Sequence, residues 1–136
     1  MTYKKPLPNP TPDTRTFWKQ CKNHRLTFQK CNDCGHVRWP PALICPRCHS
    51  VSHESIESSG RGTVFTFVVY HQAFHPAFHE DLPYIVAIIK LKEGPQFLSN
   101  IVGCDPDQVS CDMSVELVWE DINEDFSLPK FQPASR

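Results

Sequence analysis

The chain has 136 residues, of which 40% are hydrophobic, and its formal net charge is −1. This length fits one ordinary domain or two very small ones, and no apolar run is long enough to cross a membrane. The N-terminus also lacks the apolar stretch of a secretory signal, so we expect a cytoplasmic protein.

The charges are distributed unevenly along the chain. Residues 1–59 carry nine Lys/Arg and four Asp/Glu, a balance of +5, whereas residues 60–136 carry five and eleven, a balance of −6. Contacts to a polyanion need a basic surface, so the second half is a poor candidate for nucleic-acid binding.

The N-terminal segment is rich in proline and precedes a short predicted helix. Four alternating prolines fall within residues 1–12, which excludes a helix and predicts an extended arm. Asp13 or Thr14 is suited to cap a helix that carries Phe17, Trp18 and Cys21 at helical spacing. An exposed Phe-Trp pair is costly, so we expect Phe17 and Trp18 to pack either on the chain's own core or on a partner protein.

Two CxxC pairs follow, after a predicted short strand over residues 26–30. Cys31 and Cys34 form the first pair, Cys45 and Cys48 form the second, and ten residues separate the pairs. A redox role requires one pair only, set between a strand and a helix, whereas two pairs at this spacing suit a tetrahedral zinc ion. Gly35 follows the first pair directly, where such a turn often needs a positive φ. The pattern predicts a zinc ribbon.

Four thiolates would fill the coordination sphere of zinc, so the metal is expected to stabilise structure and not to catalyse. His36 and His49 flank the pairs, and we interpret both as loop residues although either is able to replace a thiolate. The remaining cysteines, Cys21, Cys104 and Cys111, are expected to be free thiols, because a reducing compartment disfavours a disulfide.

The second half of the sequence has the pattern of short strands. Residues 51–59 are expected to form a polar connector, and the GRG at 60–62 marks the change. Strands are predicted over residues 63–74, 83–91, 96–103 and 114–121, with a short last strand at KFQPA. This pattern favours a small sandwich or barrel.

The first two of these strands are apolar on both faces. In the first, alternation groups Phe65, Phe67 and Val69 on one side, and Val64, Val68 and Tyr70 on the other. A small barrel buries only its inside, so the outer apolar stripe needs a cover, which the ribbon or a second subunit would provide.

Three histidines recur every four residues between these strands. His71, His75 and His79 would share one face of a helix and bind a metal there, but Pro76 interrupts that helix. We therefore expect a loop in which Phe74 and Phe78 pack and the histidines face solvent or a ligand.

The order of these parts resembles a known family. The chain combines a Pro-rich arm, FWKQCKNHRLTFQKC, a CxxCG and a CPRC around WPP, a GRG, LPYIVAIIKL and LPKFQP. It is similar in this to domain-of-unknown-function family thirty-five, small acyl-CoA-associated proteins with a rubredoxin-like zinc ribbon followed by an OB-fold. One local departure is Asp112-Met113-Ser114-Val115, where members carry a Gly-Met-Val turn.

The resemblance implies a mainly β chain in three parts. These are an extended arm and short helix over residues 1–25, a zinc ribbon over 26–59, and an OB-fold barrel over 60–136. Cys31, Cys34, Cys45 and Cys48 match the zinc ligands of the family.

The resemblance also implies a role as an accessory subunit. Family members partner thiolase-superfamily proteins, which hold the catalytic residues and make or break carbon–carbon bonds in acyl-CoA thioesters. We therefore expect a non-catalytic zinc-binding subunit of a heteromer, with coenzyme A bound mainly by the partner and with Phe17 and Trp18 as candidate interface residues. The alternative is a nucleic-acid-binding OB-fold and zinc-ribbon module, which the acidic second half disfavours. A stand-alone enzyme is the third alternative, and the sequence offers it no nucleophile and base pair.

Overall fold

The computed structural model describes residues 4–134, so residues 1–3 of the predicted arm and residues 135–136 of the predicted barrel lie outside the described residues. The described chain holds one α-helix, eight strands and two 3₁₀ turns. They are α1 (Arg15–Lys22), β1 (Thr27–Cys31), β2 (Val37–Arg38), β3 (His53–Glu57), β4 (Arg61–Tyr70), a 3₁₀ turn (Pro76–Asp81), β5 (Tyr84–Leu91), β6 (Gln96–Ile101), a 3₁₀ turn (Pro106–Gln108), β7 (Ser114–Asp121) and β8 (Ser127–Pro133). Over this part of the chain, no helix has both the length and the apolar character needed to cross a membrane.

The helix begins after Thr14, which occupies the N-cap position. Its side chain does not cap the helix but accepts a hydrogen bond from the backbone N–H of Thr11 at 2.9 Å. Phe17 and Cys21 lie one turn apart on the same face of α1, and both are buried. Lys19 and Lys22 lie in the last turn, where a positive charge complements the helix dipole.

The ribbon is a three-stranded antiparallel sheet in the order β2-β1-β3. β1 pairs with β3 along its whole length, from Thr27 opposite Glu57 to Cys31 opposite His53. The prediction of a polar connector over residues 51–59 was therefore wrong for residues 53–57. Four of the five residues of β3 are exposed, so the strand has no alternating apolar pattern and depends on its hydrogen bonds to β1.

The second half forms a closed barrel with the strand order β4-β5-β6-β8-β7. All neighbouring pairs are antiparallel except β6 and β8, which are parallel and meet at Ile101 and Phe131. This confirms the mainly β chain with a short N-terminal helix, a cysteine ribbon and a five-stranded barrel of OB type.

A β-bulge in β4 changes which side chains face the core. The register of β4 against β5 shifts between Val64 and Thr66, so Phe65 is the extra residue. Val64 is fully buried, whereas Phe65 is 53% exposed. The grouping of Phe65 with Phe67 and Val69 on one face was wrong, because strict alternation does not continue through a bulge.

The helix, the ribbon and the barrel share one hydrophobic core. Phe17 and Cys21 of α1 and Phe28 of β1 belong to the same buried cluster as the inward side chains of the barrel. Those are Val64, Ile85, Ala87, Ile89, Leu91, Phe97, Ile101, Val115 and Phe131, together with Leu26 and Val109 from the connections. The ribbon is thus packed on the barrel through apolar side chains.

The turn before β7 keeps the backbone conformation that a glycine would adopt. Asp112 has φ 69°, and its N–H donates to the carbonyl oxygen of Val64 at 2.7 Å. Aspartate is among the few residues that tolerate this left-handed region, so the departure from Gly-Met-Val leaves the turn intact.

Candidate metal centre

The two CxxC pairs form turns with the same hydrogen-bond pattern. The N–H of Gly35 donates to the carbonyl of Cys31 at 3.0 Å, and the N–H of His49 donates to the carbonyl of Cys45 at 2.9 Å. Gly35 and His49 both have positive φ, of 77° and 65°. The positive φ predicted for Gly35, after the first pair, is thus present. His49 has the same conformation after the second pair, where it is strained because residues other than glycine rarely adopt positive φ.

The two turns bring all four sulfur atoms together. The Sγ atoms of Cys31, Cys34, Cys45 and Cys48 lie within 4.8 Å of one another. The distances across the pairs are 3.4 Å from Cys31 to Cys48 and 3.6 Å from Cys34 to Cys45. A tetrahedral site with Zn–S bonds of about 2.3 Å places its sulfurs about 3.8 Å apart. The four cysteines therefore have the spacing that a structural zinc ion requires, and four thiolates are a ligand set that zinc prefers in ribbons.

Without a metal, the four thiols divide into two with a lowered pKa and two with a raised pKa. Hydrogen bonds from the backbone N–H groups of Cys34 and Asp33 lower the pKa of Cys31 to about 6. The pKa of Cys45 is lowered in the same way, by the N–H groups of Cys48 and Arg47.

The other member of each pair behaves in the opposite sense. The N–H of Ser50 lowers the pKa of Cys48, but the hydrogen bond of its thiol to Cys31 and its burial outweigh this and raise that pKa to about 12. The pKa of Cys34 is also raised: the N–H of His36 opposes the shift, but burial and the hydrogen bond to Cys45 prevail. Each pair thus combines one thiol with a lowered pKa and one with a raised pKa.

Polar contacts between the two turns hold them in place. The backbone N–H of Asn32 donates to the carbonyl of Ser52 at 3.0 Å, and its side-chain amide donates to the hydroxyl of Ser52 at 2.9 Å. Ser50 donates to the carboxylate of Asp33. The first turn is therefore tied to the segment that follows the second turn.

The histidines of the sequence lie outside this cluster. Among the described residues, the four cysteines are the one group of three or more His, Cys, Asp or Glu side chains placed to hold a metal ion. His36 lies beside Arg47 and Arg38, and its pKa is lowered by burial and by these two positive charges.

The loop with the repeated histidines is a 3₁₀ turn and not a longer helix. His71, His75 and His79 are exposed, and Nδ1 of His75 accepts a hydrogen bond from the N–H of Ala77 at 3.1 Å. Phe78 is partly buried, as expected. Phe74 meets the ring of Tyr70 edge to face at 5.9 Å but is 77% exposed, so it packs less than predicted.

The Phe-Trp pair packs mainly on the chain itself. Phe17 is buried, with its ring centroid 6.1 Å from that of Phe97 and 6.3 Å from that of Trp39. Trp18 is partly buried and meets the ring of Phe126 edge to face at 6.2 Å. Phe17 therefore packs on the chain's own core, which is one of the two alternatives. Trp18 keeps exposed surface that is available to a partner protein.

The three other cysteines are free thiols, as expected. Cys21 is fully buried, and burial raises its pKa to about 12. Burial also raises the pKa of Cys104, and Cys111 is exposed.

The sequence did not indicate a buried cation beside the metal centre. Arg38 on β2 is only 4% exposed, and the neighbouring indole of Trp39 is partly buried. Arg38 lies two residues before a pair of prolines, where a charged side chain is expected to be exposed. No signal in the sequence would therefore have identified its burial.

Two family models match consecutive parts of the chain. The model for the ChsH2 rubredoxin-like zinc ribbon domain matches residues 18–54. The model for the ChsH2 C-terminal OB-fold domain matches residues 55–120. Together they cover the ribbon, the helix from Trp18 onward and most of the barrel.

Relatives and solved structures extend the match to nearly the whole chain. A probable enoyl-CoA hydratase alpha subunit of Thermomonospora curvata is 36% identical over 130 residues, which are 96% of this chain and 40% of that protein. This chain therefore spans about two fifths of the length of that relative. A DUF35 domain-containing scaffold protein of Methanocaldococcus jannaschii is 39% identical over 110 residues, which are 79% of this chain and 77% of that protein.

A solved structure entitled Ltp2-ChsH2(DUF35) aldolase superposes with a TM-score of 0.87 at 36% identity, and the match covers 95% of this chain and all of that one. The chain belongs to the DUF35 family, in its form with a ChsH2-type zinc ribbon and OB-fold.

Proposed function

We propose that this chain is a non-catalytic, zinc-binding accessory subunit of a heteromeric complex that acts on acyl-CoA thioesters. Cys31, Cys34, Cys45 and Cys48 hold the zinc ion, which stabilises the ribbon. The partner is a thiolase-superfamily protein that carries the catalytic residues and makes or breaks a carbon–carbon bond in a β-keto- or β-hydroxyacyl-CoA. The reaction is a thiolysis, an aldol cleavage or an acyl transfer.

One observation carries the proposal: an apolar face on the outside of the barrel that no part of the described chain covers. Phe65 and Val68 of β4 and Leu98 of β6 are 53%, 54% and 55% exposed. Ile88 of β5 pairs with Leu98 on one side and with Thr66 on the other, so it joins β4 to β6 on this face. We call Phe65, Val68, Ile88 and Leu98 the outer apolar face. Apolar side chains that are adjacent and rimmed by polar residues typically mark a protein interface.

The chemistry of the metal centre supports an accessory role. Four thiolates leave zinc no position for water or substrate, so the metal offers no Lewis-acid site. Stabilising the ribbon also stabilises the packing of α1 on the barrel, because all three share a core. The subunit thus presents a rigid surface to its partner.

The names of related proteins favour a partnered protein and leave its reaction open. The relative from Thermomonospora curvata is named as an alpha subunit of a probable enoyl-CoA hydratase, and the solved structure is entitled as an aldolase of two components. Hydration and aldol cleavage are different reactions. A scaffold of one fold that serves different catalytic partners accounts for both names. We propose that this subunit stabilises its partner and helps to complete or shield the passage for coenzyme A.

Co-purification from the native host tests the proposal. The tagged chain is expected to recover a thiolase-like protein in fixed stoichiometry, identified by mass spectrometry, together with about one zinc ion per chain. Phe65→Ser combined with Leu98→Ser is expected to reduce recovery of the partner by about tenfold or more, since central apolar contacts dominate such interfaces.

Val51→Ser, at an exposed apolar residue of the ribbon, is the matched control and should leave recovery unchanged. Recovery of nucleic acid in place of a protein would contradict the proposal. Full recovery by the double variant would exclude the outer apolar face as the interface.

A further inference from the structure

Strand β3 forms one edge of the ribbon sheet, and its outer side offers a row of backbone groups for pairing. In the sheet order β2-β1-β3, no strand of residues 4–134 lies beyond it. The N–H of Ser58 donates to the carbonyl of Leu26 at 2.7 Å, in line with the register of β1 on β3. Backbone groups of an antiparallel strand point alternately to its two sides, so the residues at even positions of β3 face β1. His53, Ser55 and Glu57 therefore direct their N–H and C=O groups away from the sheet.

The strand lacks several features that usually protect an exposed edge. It contains neither proline nor lysine, and its five residues pair with β1 in a continuous register without a bulge. Glu54 lies opposite Lys30 of β1, which offsets its charge. An edge of this kind readily accepts a further strand, and its side chains decide which strand fits.

The side chains of β3 complement a second copy of the same strand. In an antiparallel pair centred on Ser55, residues 53, 55 and 57 of one copy lie opposite residues 57, 55 and 53 of the other, so each outward N–H meets a carbonyl. His53 then lies opposite Glu57 of the second copy, where an imidazole N–H is able to donate to a carboxylate. Centring the pair on His53 or on Glu57 would form fewer hydrogen bonds and would set identical side chains opposite each other.

Both positions that this register uses are accessible. The five residues of β3 are exposed except Ile56, and the residue on the two-fold axis is a small serine. The side chain of Glu57 is 60% exposed, and Nε of Arg25 lies 3.9 Å from its Oε1 atom, which is too long for a hydrogen bond. The carboxylate of Glu57 therefore keeps the capacity to accept one.

We propose that two copies of this chain associate through β3, as antiparallel neighbours with a two-fold axis at Ser55. The two ribbons then form one six-stranded sheet in the order β2-β1-β3-β3-β1-β2. Five residues from each copy are far fewer than the roughly 20–30 of a standard interface, so we expect a dissociation constant of about 0.1–1 mM. The outer apolar face belongs to the barrel, so this association does not depend on the proposed partner.

Sedimentation velocity of the zinc-loaded chain, from about 10 µM to 1 mM, tests the association. The dimer fraction should rise with concentration, and the N–H groups of His53, Ser55 and Glu57 should exchange with solvent about twofold more slowly at the upper end. Ser55→Pro removes an outward N–H and leaves the pairing with β1 intact, so it should raise the dissociation constant by about tenfold or more. Ser55→Thr keeps that N–H and is the matched control, which should associate as the wild type does.

A charge exchange separates this pairing from a general effect on the ribbon. His53→Glu sets a carboxylate opposite Glu57 of the second copy and should raise the dissociation constant by about fivefold, with the zinc content unchanged. Adding Glu57→Lys to His53→Glu sets opposite charges across the axis and should restore association.

Three results would overturn the proposal. One is a chain that stays monomeric at about 1 mM. Another is self-association that neither Ser55→Pro nor His53→Glu weakens. The third is protection of the outward N–H groups of β3 only in a complex with another protein, which would assign the edge to that protein. If Ser55→Pro does not fold, His53→Glu and its combination with Glu57→Lys decide alone.

Discussion

The rings of Phe97 and Trp39 meet edge to face, with their centroids 4.6 Å apart, and this contact joins the barrel to the ribbon. Phe97 lies on β6, and Trp39 follows β2. The same phenylalanine also contacts Phe17 of α1, Phe28 of β1 and Phe131 of β8, at centroid distances of 6.1 to 6.2 Å. One barrel side chain therefore touches the helix, the ribbon at Phe28 and Trp39, and the neighbouring barrel strand β8.

Replacing Phe97 should destabilise the whole chain and not the barrel alone. Phe97→Ala is expected to lower the free energy of unfolding by about 3–5 kcal/mol, because it removes a large buried ring and leaves a cavity. Urea unfolding, followed by the fluorescence of the tryptophans and by far-UV circular dichroism, measures the change.

Leu98→Ala is the matched control from the same strand. Its side chain faces outward, so the expected change is within about 0.5 kcal/mol. If Phe97→Ala unfolded the ribbon while the barrel stayed intact, the two parts would be independent and the shared core would not couple them.

Loss of one thiolate should abolish zinc binding. Cys45→Ser is expected to reduce the metal content from about one zinc ion per chain to nearly none and to lower the melting temperature, since zinc binding contributes to the stability of the ribbon. Metal analysis and thermal melting check this, with the exposed Cys111→Ser as the control. A Cys45→Ser protein with full zinc and wild-type melting would refute the four-thiolate assignment.

Zinc binding at pH 7 should release fewer than four protons. With a pKa of about 6, Cys31 is already mostly thiolate, whereas Cys48, with a pKa of about 12, and Cys34 hold their protons. The expected release is about two to three protons per zinc ion, and it grows as the pH falls below the pKa of Cys31. Calorimetry in buffers of different ionisation enthalpy counts the protons. A release of four protons at pH 7 would contradict the lowered pKa of Cys31.

Sequence patterns predicted the metal centre and the barrel because both depend on local signals. Cysteine spacing determines which sulfurs meet, and the runs of β-branched residues predict β5, β6 and β7 within a few residues of their bounds. β3 was missed because its stability comes from pairing with β1, which its own polar residues do not indicate. Phe65 was misplaced because a bulge arises from the fit of two strands and leaves no mark on the alternation of one. The burial of Arg38 likewise arises from tertiary packing, which the local sequence does not indicate.

The second glycine of GRG, Gly62, is required by the close approach of β5. A Cβ atom on Gly62 would lie 2.5 Å from the carbonyl oxygen of Lys90 and 3.1 Å from Cα of Leu91. Both are backbone atoms, so the strands would have to separate. Gly62→Ala is expected to lower the free energy of unfolding by about 1–3 kcal/mol, measured in urea, and the exposed neighbour Arg61→Ala by less than about 0.5 kcal/mol. Equal stability of Gly62→Ala and the wild type would show that β4 and β5 adjust at no cost.

The carboxylate of Glu93 joins the end of the ribbon to the β5–β6 turn, and this link should depend on pH. Burial opposes its ionisation, but hydrogen bonds from Ser58 and Ser59 outweigh burial and lower the pKa of Glu93 below its usual 4.5. A carboxyl group with a lowered folded-state pKa stabilises the fold above its unfolded pKa, and the contribution is lost as the pH falls through the folded value.

Glu93→Gln is therefore expected to cost about 1 kcal/mol at pH 7, a value reduced for solvent screening because the group is partly exposed. The difference from the wild type should shrink as the pH falls below about 4.5, where the wild-type carboxyl group also becomes neutral. Urea unfolding at a series of pH values between 3 and 7 measures it, with Glu54→Gln on the exposed strand β3 as the control. A cost that stayed constant across this range would mean that the charge of Glu93 does not contribute to stability.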